Sequence, residues 1–339
     1  MKILFIGGTG TISMAITKRL AAQGHELYLL NRGNRNDDIP DNVKIIRCDI
    51  NDEEAAAKAL EGMEFDCVGE FIGFVLPQVE RDFRLFNGRT RQYIYISSAS
   101  AYQKPPAGYV ITEETPLENP YWEYSRNKKA CEEYLMERYR KDGFPVTIVR
   151  PSHTYDERSV PLGVHGSEGS WAVVKRIKEG KPVIIHGDGS SLWAVTHNSD
   201  FAVAYTGLIG NEKAIGEAFH ITGGSVTWNE IYKAIADALG TELRPCYVSS
   251  QMLEELSRGK YDFTGSLIGD KANSVVFDNS KVKALVPEFE PKITPAEGIR
   301  MTVGYILAHP EYQKDDEDFD RFCDKVTETI DRIKENFEW

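Results

Sequence analysis

Continuous apolar runs alternate along the first half of the chain with segments whose apolar positions recur at helical spacing. KILFIG, ELYLLN, VKIIRCDI, DCVGEFIG, QYIYISS and VTIVRPS read as strands, since unbroken apolar runs suit a strand covered on both faces. Between them ISMAITKRLAAQG, EEAAAKALEG and NKKACEEYLMERYRKDG carry helical spacing, and each stops at a Gly. Strand and helix in alternation predict βαβ units with right-handed crossovers, and therefore an α/β fold with a doubly wound parallel sheet. Such sheets take ligands beyond the carboxyl ends of their strands, so the residues just after each strand are the candidates for chemistry.

The second half is less regular. SEGSWAVVKRIKEG reads as a helix, KPVIIHGDG as a strand and turn, and TWNEIYKAIADALG as an amphipathic helix ended by Gly240. The segment from His197 to Tyr205 and the AFHITG strand are expected to return to the sheet. This divides the chain into a sheet domain over 1–163, with 194–222 rejoining it, and a smaller mixed α/β domain over 164–193 and 223–339. Phe319, Phe322, Val326, Ile330, Ile333 and Phe337 step by three and four, which predicts a C-terminal amphipathic helix packed on the body of its own chain.

Composition narrows the function classes. With 339 residues, 41% hydrophobic and 27% charged, the chain can bury a sizeable core. A formal charge of −12 argues against nucleic acid as a partner, because phosphate-backbone binding rests on Lys and Arg releasing counterions. No apolar run reaches a membrane span, and MKILFIGG enters a strand at once, so a cytoplasmic protein with no membrane partner is expected. The five Cys are scattered without metal-ligand spacing and read as reduced and structural, and no metal is expected.

Chemistry gathers at the strand ends. GGTGTIS follows the first strand; Gly7 and Gly10 flank a turn where the lack of a Cβ lets a pyrophosphate reach the amides of a helix N-terminus. Its spacing departs from G-x-G-x-x-G, with Ser13 in place of the third Gly. After the second strand, NRGNR offers Asn31 and Arg32 where an acid would hold the ribose hydroxyls of NAD; an Arg here pairs with the 2′-phosphate of NADP, so NADP is preferred over NAD. Asp49, after the third strand, can accept from an adenine amine or cap the next helix. Among sixteen Tyr only Tyr124 has a Lys four positions later, on the same face of a helix, and SSASAY places Ser98 at the end of the fifth strand. A phenol beside the Lys128 ammonium would be pulled toward the working range of a general acid or base, with Ser98 polarising the substrate oxygen.

In this fixed order GGTGTIS, CDI, FIG, SSASAY, YSRNK, VRPSHTY, GDGSSLWAVTHNSDFAVAY and AFHITGGSVTWNEI resemble the extended short-chain dehydrogenase/reductases, and within them the NAD(P)-dependent sugar-nucleotide epimerases and dehydratases. The resemblance covers most of the chain. It implies that Ser98, Tyr124 and Lys128 are catalytic. It further implies that Gly7, Gly10, Thr11, Ile12, Asn31, Arg32, Asp49, Ile50, Phe71, Ile72, Gly73, Tyr124, Lys128, Pro151, Ser152 and His153 bind the cofactor, the last three under the nicotinamide. Tyr124 would take a proton from a sugar hydroxyl as hydride leaves its carbon. An epimerase returns the hydride to the other face; a dehydratase eliminates water with an acid beside the Ser. Ala99 and Ser100 stand where that acid is usual, which disfavours dehydration, and Ser100 and Trp193 are candidate substrate contacts.

Two departures bear on the substrate. VRPSHTYDERSVP lacks the Asn and G-P that accompany sugar-nucleotide binding, and Leu192 and Trp193 stand where an Arg for the nucleotide diphosphate is usual. Arg150 and Arg158 can serve a phosphate, or Arg150 a structural ion pair. The alternatives are therefore an NADPH-dependent reductase of a small carbonyl compound, or a non-catalytic, RNA-associated member of the atypical branch that shares NRG. His153, His186, His197 and Trp171 read first as structural residues. Family members pair through the helices after strands four and five, so a homodimer is expected.

Overall fold

The computed structural model describes residues 1–35 and 38–338, leaving Trp339, the last residue of the expected second domain, outside. A seven-stranded sheet organises the first half. In chain order its strands are β1 (Lys2–Ile6), β2 (Glu26–Asn31), β3 (Lys44–Arg47), β4 (Cys67–Glu70), β5 (Tyr93–Ile96), β6 (Val146–Pro151) and β7 (Ala218–Ile221). In space they run β7-β6-β5-β4-β1-β2-β3, all parallel. The order reverses between β1 and β4, so the doubly wound prediction holds and a crevice opens there.

Alternation along a strand builds both faces of the core. Ile3 and Phe5 of β1 join Ile16, Leu20, Phe201 and Tyr205 on one side, while Leu4 and Ile6 join Val79, Phe86, Cys131 and Leu135 on the other. The flanking helices are α1 (Ser13–Ala22), α2 (Glu53–Ala59), α3 (Leu76–Phe86), α4 (Glu123–Asp142) and α5 (Asn198–Leu208); all but α2 supply these residues, and α2 adds Ala56 to the second side. The remaining chain forms its own core around Trp228, Ile231, Ile235, Trp171, Val174 and Ile185.

The C-terminal helix Glu317–Glu335 lies on that second core through buried Phe319, Cys323 and Val326, with Phe322 and Ile330 partly covered. Arg176, 2% exposed, receives it through ion pairs to Asp320 and Asp324 at 2.5 and 2.8 Å. Its last turns behave differently, as Ile333 is 56% exposed. Among the described residues no helix is long and apolar enough to cross a membrane, and no cluster of His, Cys, Asp and Glu could hold a metal ion.

Candidate active site

A cavity of about 1150 Å³ runs along the carboxyl ends of the strands, lined at one end by Gly7 to Ser13 and at the other by Ser98, Tyr124 and Trp193. That exceeds the space one drug-sized ligand needs and suits a dinucleotide together with a substrate.

The glycine turn is built for close approach. Gly7 and Gly8 hold φ of +98° and +94°, and a Cβ on Gly8 would stand 2.5 Å from Leu29 Cδ2, so a larger residue clashes as well as strains. Ser13 Oγ accepts from the Gly10 amide at 2.9 Å and Thr17 Oγ1 donates to the Gly8 carbonyl at 2.8 Å, which pins the turn to α1. No side chain caps the start of α1, leaving its first amides for an anion. Asn198 Nδ2 donates to the Thr11 carbonyl at 3.1 Å, tying the turn to α5. Thr11 and Ile12 both line the cavity.

Beyond β2, Asn31 Oδ1 accepts from the Gly33 amide at 2.8 Å, while its Nδ2 is buried without a partner and belongs to a residue of the cavity wall. Arg32 and Arg35 are exposed on the same wall. Arg47 at the end of β3, which sequence reasoning passed over, brings its Nε 3.1 Å from where a Cβ on Gly33 would stand. Asp49 accepts from the amide and Nδ2 of Asn51, both at 3.0 Å; the cap of α2 is Asp52 instead. Ile50, Phe71 and Ile72 line the cavity, whereas Gly73 lies behind it and offers its carbonyl to Lys128. These groups suit a nicotinamide dinucleotide: a turn of two glycines at positive φ, uncapped helix amides, and an orphaned amide nitrogen at the Asn31 end.

At the other end the hydroxyls form a chain: Ser98 Oγ lies 2.9 Å from Ser100 Oγ, to which Ser125 Oγ donates at 2.8 Å. Tyr124 and Lys128 share one face of α4 as their spacing requires, with Nζ 5.8 Å from the phenol ring centre. The electrostatics correct the sequence reading. Burial raises the Tyr124 phenol above its usual value, its hydrogen bond with Ser98 opposes this, and the Asp270 carboxylate raises it further. Lys128 does not lower it here. Its Nζ donates to the carbonyls of Gly73 and Ile96, both at 2.7 Å, and burial pushes the ammonium down to about 8.

Pro151, Ser152 and His153 line the cavity between the two ends. Burial and the Lys271 ammonium hold His153 down to about 3, so its imidazole is neutral. Arg150 faces away, bound to both oxygens of Glu132 and to Tyr102 Oη at 3.1 Å, which makes it a structural ion pair. Arg158 is paired with Asp156. His186 sits against Trp228 and His197 caps α5, while Trp171 packs in the second core. Trp193 is in that core too, 2% exposed, yet also forms cavity wall. The sequence reading missed Trp122, two residues before Tyr124, and also Asp270 and Lys271, which complete this wall from a remote segment with no motif to mark them.

Known proteins resemble this chain in sequence and in fold. A 2'-dehydrokanamycin reductase from Streptomyces kanamyceticus is 23% identical over 298 residues, 87% of this chain and 82% of its own length. The chloroplast stem-loop binding protein of 41 kDa b from Arabidopsis thaliana is 30% identical over 254 residues, 70% of this chain, which spans only 63% of that protein. The solved structure of the UDP-glucose 4-epimerase of Thermus thermophilus in complex with NAD superposes with a TM-score of 0.72 at 22% identity, covering 91% of this chain and 99% of that one. The model of the NAD dependent epimerase/dehydratase family matches residues 3–222, from β1 through β7, and the chain belongs to that family.

Proposed function

We propose that the protein is an NADP-linked oxidoreductase that moves hydride to or from a hydroxyl-bearing carbon of a sugar-like substrate, with Tyr124 as acid and base. The observation that carries this is the shared cavity: Tyr124, Ser98 and Lys128 line the same space as the glycine turn. The bound nicotinamide supplies or receives the hydride. Burial keeps the Tyr124 phenol protonated, so in the reducing direction Tyr124 Oη gives its proton to a carbonyl oxygen held by Ser98 Oγ. In the other direction it takes the hydroxyl proton, while Lys128 Nζ, fixed by the carbonyls of Gly73 and Ile96, holds its place on the same wall.

Gly7, Gly10, Thr11 and Ile12 would hold the pyrophosphate, Asn31, Asp49 and Ile50 the adenosine, and Phe71, Ile72, Pro151, Ser152 and His153 the nicotinamide end. Gly73 acts through Lys128. Arg32 on the wall, with no acid at Asn31, supports NADP over NAD. Residues 164–193 and 223–339 would form the substrate domain. The helices α3 and α4 lie side by side with Phe83 against Tyr134, and we extend the proposal to a homodimer through them.

No carboxylate adjoins Ser98 in the chain, which favours epimerisation over dehydration. Net reduction is preferred to epimerisation because the Arg residues of the cavity wall, Arg32 and Arg35, stand at the glycine end, leaving none for a nucleotide diphosphate. The charge of −12 and the Tyr124, Lys128 and Ser98 set favour catalysis over stem-loop binding. The test is to strip the purified protein of cofactor, titrate NADP and NAD side by side, and follow NADPH consumption with a panel of keto sugars. Consumption that Tyr124→Phe abolishes supports reduction. A change of sugar configuration with no net cofactor consumed supports the epimerase reading, and neither outcome, with no cofactor bound, overturns both.

A further inference from the structure

Beneath the cavity a polar chain joins two parts of its wall, Asp49 and Asn51 after β3 and Ile72 and Lys128 from β4 and α4. Asn51 donates from its amide and Nδ2 to Asp49 Oδ1, both at 3.0 Å, and its own Oδ1 accepts from Arg81 Nη1 at 3.0 Å. Arg81, in α3, turns Nε and Nη2 onto Asp82 Oδ1 at 2.9 and 2.7 Å, and Tyr93 Oη donates to Asp82 Oδ2 at 2.7 Å. The same Nη2 stands 3.6 Å from Oε2 of Glu70, the last residue of β4, too far for a hydrogen bond. Glu70 Oε1 accepts from the Ile72 amide at 2.5 Å, and the side chain packs under Gly73, where a Cβ would stand 3.0 Å from Glu70 Cγ. The Gly73 carbonyl in turn receives Lys128 Nζ at 2.7 Å and Tyr95 Oη at 3.0 Å. Glu70 and Asp82 are fully buried and Arg81 nearly so.

One atom of this chain departs from the rule that buried polar groups are paired: among the described residues Glu70 Oε2 has no hydrogen-bond partner. The ionisable groups around Glu70 are Arg81 and Asp82 from α3, Tyr93 from β5, Tyr205 from α5 and Lys128 from α4. Neither cation serves it. Arg81 gives its donors to Asp82 and Asn51, and Lys128 gives Nζ to the carbonyls of Gly73 and Ile96. An ionised Glu70 would therefore be a second carboxylate beside Asp82, desolvated and with one oxygen lacking a donor. A proton on Oε2 removes both costs, since the acid then donates where the carboxylate could only accept. In agreement, burial first and the Asp82 carboxylate next push the Glu70 acid well above the ordinary carboxylate range.

We propose that Glu70 is a positioning residue: as a neutral acid sharing its proton with Asp82, it holds Ile72 and Gly73, and through Gly73 Lys128, in register with Asp49 and Asn51 across the cofactor site. The proposal rests on the cavity taking a nicotinamide dinucleotide. Infrared difference spectra of the full-length wild type and Glu70→Gln at about pH 7 are expected to show a protonated-carboxyl band that the variant lacks. Gln offers Ile72 the same carbonyl acceptor and Asp82 an N–H, so the NADP affinity of Glu70→Gln, measured by calorimetry, is expected within about twofold of wild type. Glu70→Leu keeps the bulk but neither bond, and is expected to weaken NADP about tenfold. Should the Leu variant not fold, the spectrum and Glu70→Gln decide. Absence of the band, weakened NADP binding by Glu70→Gln, or wild-type affinity in Glu70→Leu overturns the proposal. A wild type that binds no NADP would sink the cofactor reading and the positioning role with it, while the band still reports the shared proton.

Discussion

The two ends of the cavity solve different problems. At the glycine end most polar groups are satisfied by near neighbours, Gly10 by Ser13, Gly8 by Thr17, Asn31 Oδ1 by Gly33 and Asp49 by Asn51, while Asn31 Nδ2 is left without a partner. At the far end the wall is assembled from residues 122, 124, 193, 270 and 271, and two of its buried polar atoms have no partner. A dinucleotide site can be encoded by local turns, because its demands are backbone amides and an absent Cβ. A substrate site is encoded by convergence, and leaves hydrogen bonds for the substrate to complete.

The largest expected effect tests the far end. Tyr124→Phe keeps the ring and removes the only atom through which the proposed proton transfer runs. Turnover is expected to fall by roughly 10² to 10⁴-fold, with NADP affinity within about twofold of wild type. Steady-state kinetics and a cofactor titration separate the two; equal loss in both would assign Tyr124 to cofactor binding instead.

Arg150 sharpens the contrast from outside the site. Glu132→Ala leaves its guanidinium, 6% exposed, without its bidentate partner, and is expected to cost about 3 to 5 kcal/mol of stability. Denaturant unfolding measures this. A variant of unchanged stability that gained affinity for phosphate would restore Arg150 as an anion ligand.

What the sequence made legible follows the same division. The six strands of the first half, α1, α4 and the ordered motifs were readable because each is decided within a few residues by apolar runs, helical spacing and turn glycines. The helix α3 is expected only through the resemblance, and its LPQVERDFRLF hides the reason: Arg81 and Asp82 are buried and paired with each other, with Tyr93 Oη on Asp82. The reading of Lys128 erred for a related reason. Its spacing from Tyr124 was right, but burial, which no spacing reports, governs both groups. Asp270 and Lys271 sit in a π-helical turn that the apolar pattern does not announce.

Burial of Lys128 gives a pH signature with a definite sign. Its folded-state value, about 8, lies below the ordinary ammonium value of about 10.4. Between those limits the unfolded chain holds a proton that the folded chain has released. Stability should therefore rise with pH across that window, by at most about 1.4 kcal/mol per unit relative to Lys128→Met, and show no such difference in slope below it. Unfolding midpoints of the two proteins, compared from about pH 7 to about pH 10, measure the difference. Parallel curves would mean that the ammonium reaches solvent.

The smallest effect belongs to the glycine end, where the ligand charge meets solvent. Arg32 and Arg35 are exposed, so a contact with a 2′-phosphate would be screened by water and salt. Arg32→Ala is expected to reduce NADP affinity about tenfold and leave NAD nearly unchanged. Arg47 packs behind Gly33 in the loop that carries Arg32, so Arg47→Ala should add roughly a threefold loss for NADP alone. Raising the salt concentration should narrow the gap between NADP and NAD in wild type and in Arg47→Ala, and do little in Arg32→Ala, because screening removes what the substitution has already removed. Equal weakening of both dinucleotides by Arg32→Ala would instead assign the side chain to the pyrophosphate or the adenine, and the preference for NADP would fall with it.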